Sequence, residues 1–163
     1  MDDSIRKAKS ISELFVIVKR VVKEYLGVDQ AGLMVGTSDL GVYRGGFIGA
    51  FYSLNSNMII INKRPLARVK KIMPTQYNYY LFHILLHEYI HSIGSYDEEQ
   101  TRHLVFEISQ HYFGKNHPVT EFSVNMSKIL PKLGYSDFSF EPPLDTNVDF
   151  ELGIDKENID YIN

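Results

Sequence analysis

The sequence predicts an α+β domain: a small mixed sheet of about three strands packed on an N-terminal helix and a buried central helix, followed by a C-terminal helical part. Three observations carry this expectation. Apolar side chains recur at helical spacing over residues 14–26, three short apolar or aromatic runs follow between 31 and 62, and a segment from 76 is apolar on every side of a helix. A chain of 163 residues suffices for one domain with a sizeable core.

The first helix opens at Ser10-Ile11-Ser12-Glu13, which has the form of a capping box. It carries Leu14, Phe15, Val18, Val21, Val22, Tyr25 and Leu26 at helical spacing and stops at Gly27, with Lys19, Arg20 and Lys23 on its wet side. Then the period changes. Leu33-Met34-Val35, Phe47-Ile48-Gly49-Ala50-Phe51-Tyr52 and Met58-Ile59-Ile60-Ile61 predict three strands, the last two forming a hairpin across 55–57. Pro65 suits the first turn of a short helix over 66–72. Lys63, Arg64, Arg68, Lys70 and Lys71 make this the most basic segment. It is expected to be a solvated face, because no aromatic residues interleave with the charges as nucleic-acid binding would require. Thr75 is placed to cap the central helix, 76–93, and after a loop begun by His117-Pro118 a last short helix spans 122–133.

Composition narrows the function classes. The chain is 44% hydrophobic and 23% charged, ordinary for a globular protein. No run of about 18 apolar residues occurs, and the first residues lack the apolar stretch of a secretion signal, so a cytoplasmic protein without a membrane partner is expected. The absence of cysteine excludes disulfides, a thiolate nucleophile and every cysteine-based metal site. The net charge of −3 is unevenly spread: residues 136–163 carry eight acids against Lys156 alone, while 1–135 hold sixteen basic and twelve acidic side chains. The expected organisation is one domain over 1–135 and an acidic tail over 136–163, either loosely ordered or packed on the basic half of the domain. A further possibility is a tail lying in the functional cleft as an inhibitor.

The chemistry concentrates on the central helix, where His87-Glu88-Tyr89-Ile90-His91 is an H-E-x-x-H arrangement. Histidines four apart project from one side of a helix, so both rings can reach one metal ion, and the intervening Glu88 can hold its water. In a chain of this composition the pentapeptide arises by chance on the order of 1 time in 75, so its setting decides. His83, His87 and His91 form one stripe with Glu88 beside it on an otherwise apolar helix. Burying such groups without partners would cost several kcal/mol, which a metal and its water would relieve. Core histidines bonded to backbone carbonyls are the structural alternative, and His83 is expected in that role or supporting a ligand.

Catalytic zinc takes three protein ligands and leaves a position for water. Gly94 can end the helix in a left-handed turn, and three residues on stands Asp97, completing His87-Glu88-x-x-His91-x-x-Gly94-x-x-Asp97. This run resembles the extended motif of metzincin-type zinc peptidases in the variant with a third-position aspartate, and still more the small bacterial and archaeal zincin-like metallopeptidase domains. The strand pair upstream of the motif fits that likeness, which covers about residues 33–113. The resemblance implies a zincin-like fold, zinc held by His87, His91 and Asp97, Glu88 as general base, and a peptide or protein substrate. It also implies an edge strand beside the cleft that pairs with an extended substrate, with 58–61 as the candidate. Other third ligands remain open. Asp97 has the spacing of a helix cap with Gln100, as Ser95 has with Glu98, and His103 and Glu107 lie on a polar stripe of the next helix. Met126 is a candidate for the methionine of a metzincin turn.

Peptide-bond hydrolysis is the expected reaction, zinc activating water and polarising the carbonyl while Glu88 shuttles the proton. Two alternatives stand beside it. The spacing also resembles a bacterial rRNA-maturation endoribonuclease family, with Glu98 where that family has its final histidine. A catalytically silent zincin-fold binding module would keep the metal for stability, but has no use for Glu88.

Overall fold

A computed structural model describes residues 1–43, 48–95, 97–136 and 138–151. It is an α+β structure, with seven α-helices and a four-stranded mixed sheet among those residues. Helices α1 (Asp2–Lys7) and α2 (Ile11–Leu26) precede β1 (Met34–Ser38), β2 (Ala50–Ser53) and β3 (Met58–Asn62). Then come α3 (Lys63–Ile72), α4 (Tyr77–Ser92), α5 (Glu98–Phe113), α6 (Pro118–Val124), α7 (Ile129–Lys132) and β4 (Asp149–Phe150). None of the helices is long and apolar enough to cross a membrane.

Half of the capping box forms as expected, the Ser10 side chain accepting from the Glu13 N–H at 3.1 Å, while the Glu13 carboxylate reaches one residue further back and accepts from the Lys9 N–H at 2.7 Å. Gly27 ends α2 at φ 69°. The buried face of α2 packs on α4, with the Phe15 and Tyr89 rings edge to face at 5.6 Å. Helix α4 is the centre of the core. Tyr80, Leu81, Phe82, Leu85, Leu86, Tyr89 and Ile90 are all buried, each contributing about 1.5–3 kcal/mol of apolar burial. Thr75 does not cap it; a short 3₁₀ turn at Pro74–Gln76 leads straight into the helix.

The sheet corrects two expectations. Its order is β2-β3-β1-β4, with β1 parallel to β3 and β2 antiparallel to it. Strand β3 is therefore paired on both sides, consistent with three successive buried isoleucines, Ile59, Ile60 and Ile61. It cannot be the free edge; β2 is. The strand expected over 47–52 is β2, described from Ala50 to Ser53, and Phe47 lies outside the described residues.

The helix expected over 122–133 is instead α6 and α7 separated by a 3₁₀ turn. Asn125 interrupts it with an extended backbone, and its side chain accepts from the Ser127 N–H. His117-Pro118 begins α6 rather than a loop, since His117 caps it through the Val119 N–H and proline is tolerated at a first turn.

The described part of the tail packs on the basic segment. β4 adds to β1, pairing Gly36 with Phe150 and Thr37 with Asp149, and Glu141 bridges to Val42. Arg64 bonds Asp39 through Nε and Nη2 at 2.9 and 2.8 Å and reaches Glu141 at 3.3 Å. Arg68 meets Glu141 at 3.4 Å, and Lys63 pairs with Asp149. The expected solvated face is thus partly neutralised by the tail's own acids. Residues 138–151 run along the sheet edge opposite β2, so that stretch does not occupy the cleft beside the histidines; residues 152–163 lie outside the described residues.

Candidate metal centre

Helical periodicity brings His87 and His91 to one side of α4, and the turn after the helix delivers their third neighbour. Gly94, at φ 115°, reverses the chain. The Ser95 carbonyl then lies 2.6 Å from His91 Nδ1. Helix α5 starts at once and locks that carbonyl from behind. The buried Thr101 hydroxyl lies 2.7 Å from Ser95 Oγ, and within bonding distance of the Ser95 and Asp97 carbonyls at 3.2 and 2.8 Å.

Asp97 and Glu98 go separate ways. Asp97 is the N-cap of α5: its Oδ1 accepts from the Gln100 N–H at 2.8 Å, and it does not join the histidines. Glu98, the first helical residue, projects back toward the end of α4, as side chains lean toward a helix N-terminus. Its Oε1 lies 2.9 Å from His87 Nε2 and its Oε2 3.0 Å from His91 Nε2. The two Nε2 atoms are 3.2 Å apart. His87, His91 and Glu98 offer ligand atoms that all lie within 4.8 Å of one another. His103 and Glu107 instead bond to each other at 3.0 Å on the exposed face of α5.

The donor set fits a cation on chemical grounds. A carbonyl oxygen only accepts, so the short contact to Ser95 puts the proton of a neutral His91 on Nδ1 and leaves Nε2 as a lone pair. That lone pair faces a carboxylate oxygen, another acceptor, and the second imidazole. A proton on Nε2 satisfies one of these two contacts; a divalent cation satisfies both. Two ligands each about 2.0–2.1 Å from a tetrahedral zinc stand roughly 3.3–3.4 Å apart, close to the 3.2 Å between the two Nε2 atoms here. Burial holds the His87 imidazole below its ordinary pKa, with Glu98 pulling the other way. A neutral ring is the ligand form.

Glu88 lies beside this group, only 9% exposed. Burial, reinforced by the charge of Glu98, pushes its carboxyl up to about 8, while the Tyr52 backbone N–H bonds to it and draws it back. That N–H identifies the free edge of the sheet. Asn62 N–H donates to the Gly49 carbonyl, and hydrogen-bonded pairs alternate along an antiparallel ladder. Phe51 and Ser53 therefore bond into β3, while Ala50 and Tyr52 turn their peptide groups outward, toward α4.

Two concavities flank the cluster, of about 580 and 390 Å³, and Ala50, His87, Glu88 and Glu98 line both. The larger reaches His83 and Tyr80 on α4 and is walled by α6 and the following turn, including Met126. His83 is buried with its ring centre 6.4 Å from that of His87; burial pushes its pKa down to about 3. Of the residues singled out in the sequence, the structure thus brings His87 and His91 together with Glu88 beside them, sets Glu98 against both histidines, and leaves Asp97 apart as a helix cap. The Asp97-x-x-Gln100 cap spacing was the available signal, since a cap carboxylate is committed to its own helix. Ser95, Thr101 and the outward edge of β2 carried no signal in residue type alone.

No protein-family model, curated protein or solved structure matches the chain.

Proposed function

We propose that the chain is a zincin-like, zinc-dependent metallopeptidase in which His87, His91 and Glu98 hold the metal and Glu88 is the general base. The observation that carries this reading is the convergence of two imidazole Nε2 atoms and a carboxylate, with the His91 ring held by its contact to Ser95 and a buried carboxyl alongside. Two imidazoles and a carboxylate without thiolates suit zinc, and three ligands leave a position for water. A zinc ion bound there would lower the pKa of water and polarise a carbonyl.

The remaining steps belong to the protein's own groups. Glu88 accepts a proton from the attacking water at its carboxylate and returns it to the departing amine. The outward peptide groups of Ala50 and the Tyr52 carbonyl offer an extended peptide main-chain hydrogen bonds along the free edge of β2, holding its scissile bond over the cluster. The lining of both concavities favours a peptide over RNA: beside Glu88 and Glu98 its one Lys or Arg among the described residues is Arg102.

Elemental analysis of purified protein tests the metal, with one zinc per chain expected. Digestion of a peptide mixture by the zinc-loaded protein and by Glu88→Gln tests the base. Cleavage that vanishes in the variant while its zinc is retained supports the reading; a metal-loaded protein whose cleavage is indifferent to Glu88→Gln contradicts it.

A further inference from the structure

The larger concavity has an aromatic wall with unused hydrogen-bonding capacity. Among its lining residues are Tyr80, His83, Ile84, Val105, Phe122 and Leu130. The Phe122 ring lies 6.3 Å from Tyr80, edge to face, and 6.2 Å from His83. Among the described residues, the Tyr80 hydroxyl and His83 Nδ1 are both buried without a hydrogen-bond partner. A buried polar group left in this state costs about 1–3 kcal/mol, so native structures rarely retain one without a use. Here the two residues that carry such groups both line one concavity, His83 one turn of helix from His87 and Tyr80 two.

We infer that this concavity is the specificity pocket for one residue flanking the scissile bond, and that Tyr80 and His83 select a large aromatic side chain with an uncharged hydrogen-bonding tip, which tyrosine fits best. The inference rests on the peptidase reading above. Its volume of about 580 Å³ accommodates an aromatic ring. The rings of Phe122, Tyr80 and His83 supply the apolar and edge-to-face surface such a ring prefers. A phenol hydroxyl both donates and accepts, so it can engage both unpartnered groups. Discrimination against phenylalanine follows, because the analogue lacking the hydroxyl leaves buried polar atoms unpaired.

The test is digestion of a peptide library by the zinc-loaded protein, with cleavage sites read by mass spectrometry for wild type, Tyr80→Phe, His83→Phe and Glu88→Gln. We expect tyrosine to exceed phenylalanine at one flanking position by about tenfold or more. Tyr80→Phe and His83→Phe should bring that ratio toward unity while kcat/KM on the phenylalanine peptide is kept or raised. Denaturant unfolding of the zinc-free variants supplies a second readout: neither should be less stable than wild type, since each removes an unpaired polar atom. Wild-type cleavage that ignores the tyrosine hydroxyl, or variants that keep the preference, would overturn the pocket and leave the peptidase reading standing. Absence of any cleavage sensitive to Glu88→Gln in zinc-loaded protein would overturn both.

Discussion

Asp97 and Glu98 are neighbours with opposite commitments: Asp97 Oδ1 accepts from the Gln100 N–H at 2.8 Å, while Glu98 Oε1 lies 2.9 Å from His87 Nε2. The first carboxylate starts the helix and the second, one residue later, is carried by that helix to the histidines. Their substitutions should separate cleanly. Glu98→Gln is expected to lower zinc affinity by at least about 100-fold with little change in the stability of the zinc-free protein. Asp97→Ala should keep one zinc per chain and cost about 1 kcal/mol through loss of the cap. Zinc titration with a competing chelator, paired with urea unfolding, checks both. A reversed pattern would return the ligand role to Asp97.

Thr101, one turn along α5 from Glu98, braces the other end of the site. Its hydroxyl contacts Ser95 Oγ and the Ser95 carbonyl, the group that faces His91 Nδ1 at 2.6 Å. Partners of a ligating histidine's second nitrogen fix its tautomer and ring orientation, and their loss typically costs about 10–100-fold in metal affinity. Thr101→Val keeps the shape and removes the hydroxyl. Zinc affinity should fall by about tenfold, whereas Thr101→Ser should restore it. Equal losses in both variants would indicate a packing effect at this buried position.

These two residues mark where the sequence was legible. His87, Glu88 and His91 lie within one continuous helix, where spacing dictates direction, so their gathering on one arc could be derived from a 100° rotation per residue. Glu98 comes from a second helix, and its reach depends on where Gly94 sends the chain and on which acid becomes the cap. The α+β class and the buried α4 followed from apolar periodicity for the same local reason. Sheet order did not: alternation and run length located 58–61 as a strand, but only tertiary pairing with β1 made it central and left β2 as the edge. The tail's place on α3 was foreshadowed by charge alone.

Gly41 admits the tail strap. At φ 74° it adopts a backbone that side chains rarely tolerate, and a Cβ there would meet the Glu141 carbonyl oxygen at 2.6 Å and Pro143 Cδ at 2.9 Å. The carbonyl is backbone, so the tail itself must shift. Gly41→Ala should destabilise the protein by about 1–3 kcal/mol and expose residues 138–151 to proteolysis, while zinc affinity stays at the wild-type value. Limited proteolysis followed by mass spectrometry reads the first effect, and chelator competition the second. A tail as protease-resistant in Gly41→Ala as in wild type would show that the close approach at Gly41 does not hold it.

The same strap should loosen in acid. Bidentate bonding to the Arg64 guanidinium, with further bonds from the Leu144 and Gly41 N–H groups, holds the Asp39 carboxyl well below its ordinary value of 3.8 against the opposing effect of burial. The unfolded chain therefore takes up this proton first as pH falls. Stability from the pair is fully present above about pH 3.8 and is lost progressively as pH drops toward the folded value. The Asp39 and Arg64 side chains are only 13% and 21% exposed, so solvent screens the pair less than it does the other ion pairs of α3. Asp39→Asn should cost about 1.5–3 kcal/mol at pH 7 and progressively less below pH 4, as wild type loses what the variant already lacks. Urea unfolding of the zinc-free proteins across this range measures the difference, in which the titration of the other carboxylates cancels. If the gap between the two proteins stayed constant down to pH 2.5, the Asp39 charge would not be what stabilises the strap, and the cost of Asp39→Asn would have to come from lost hydrogen-bond geometry.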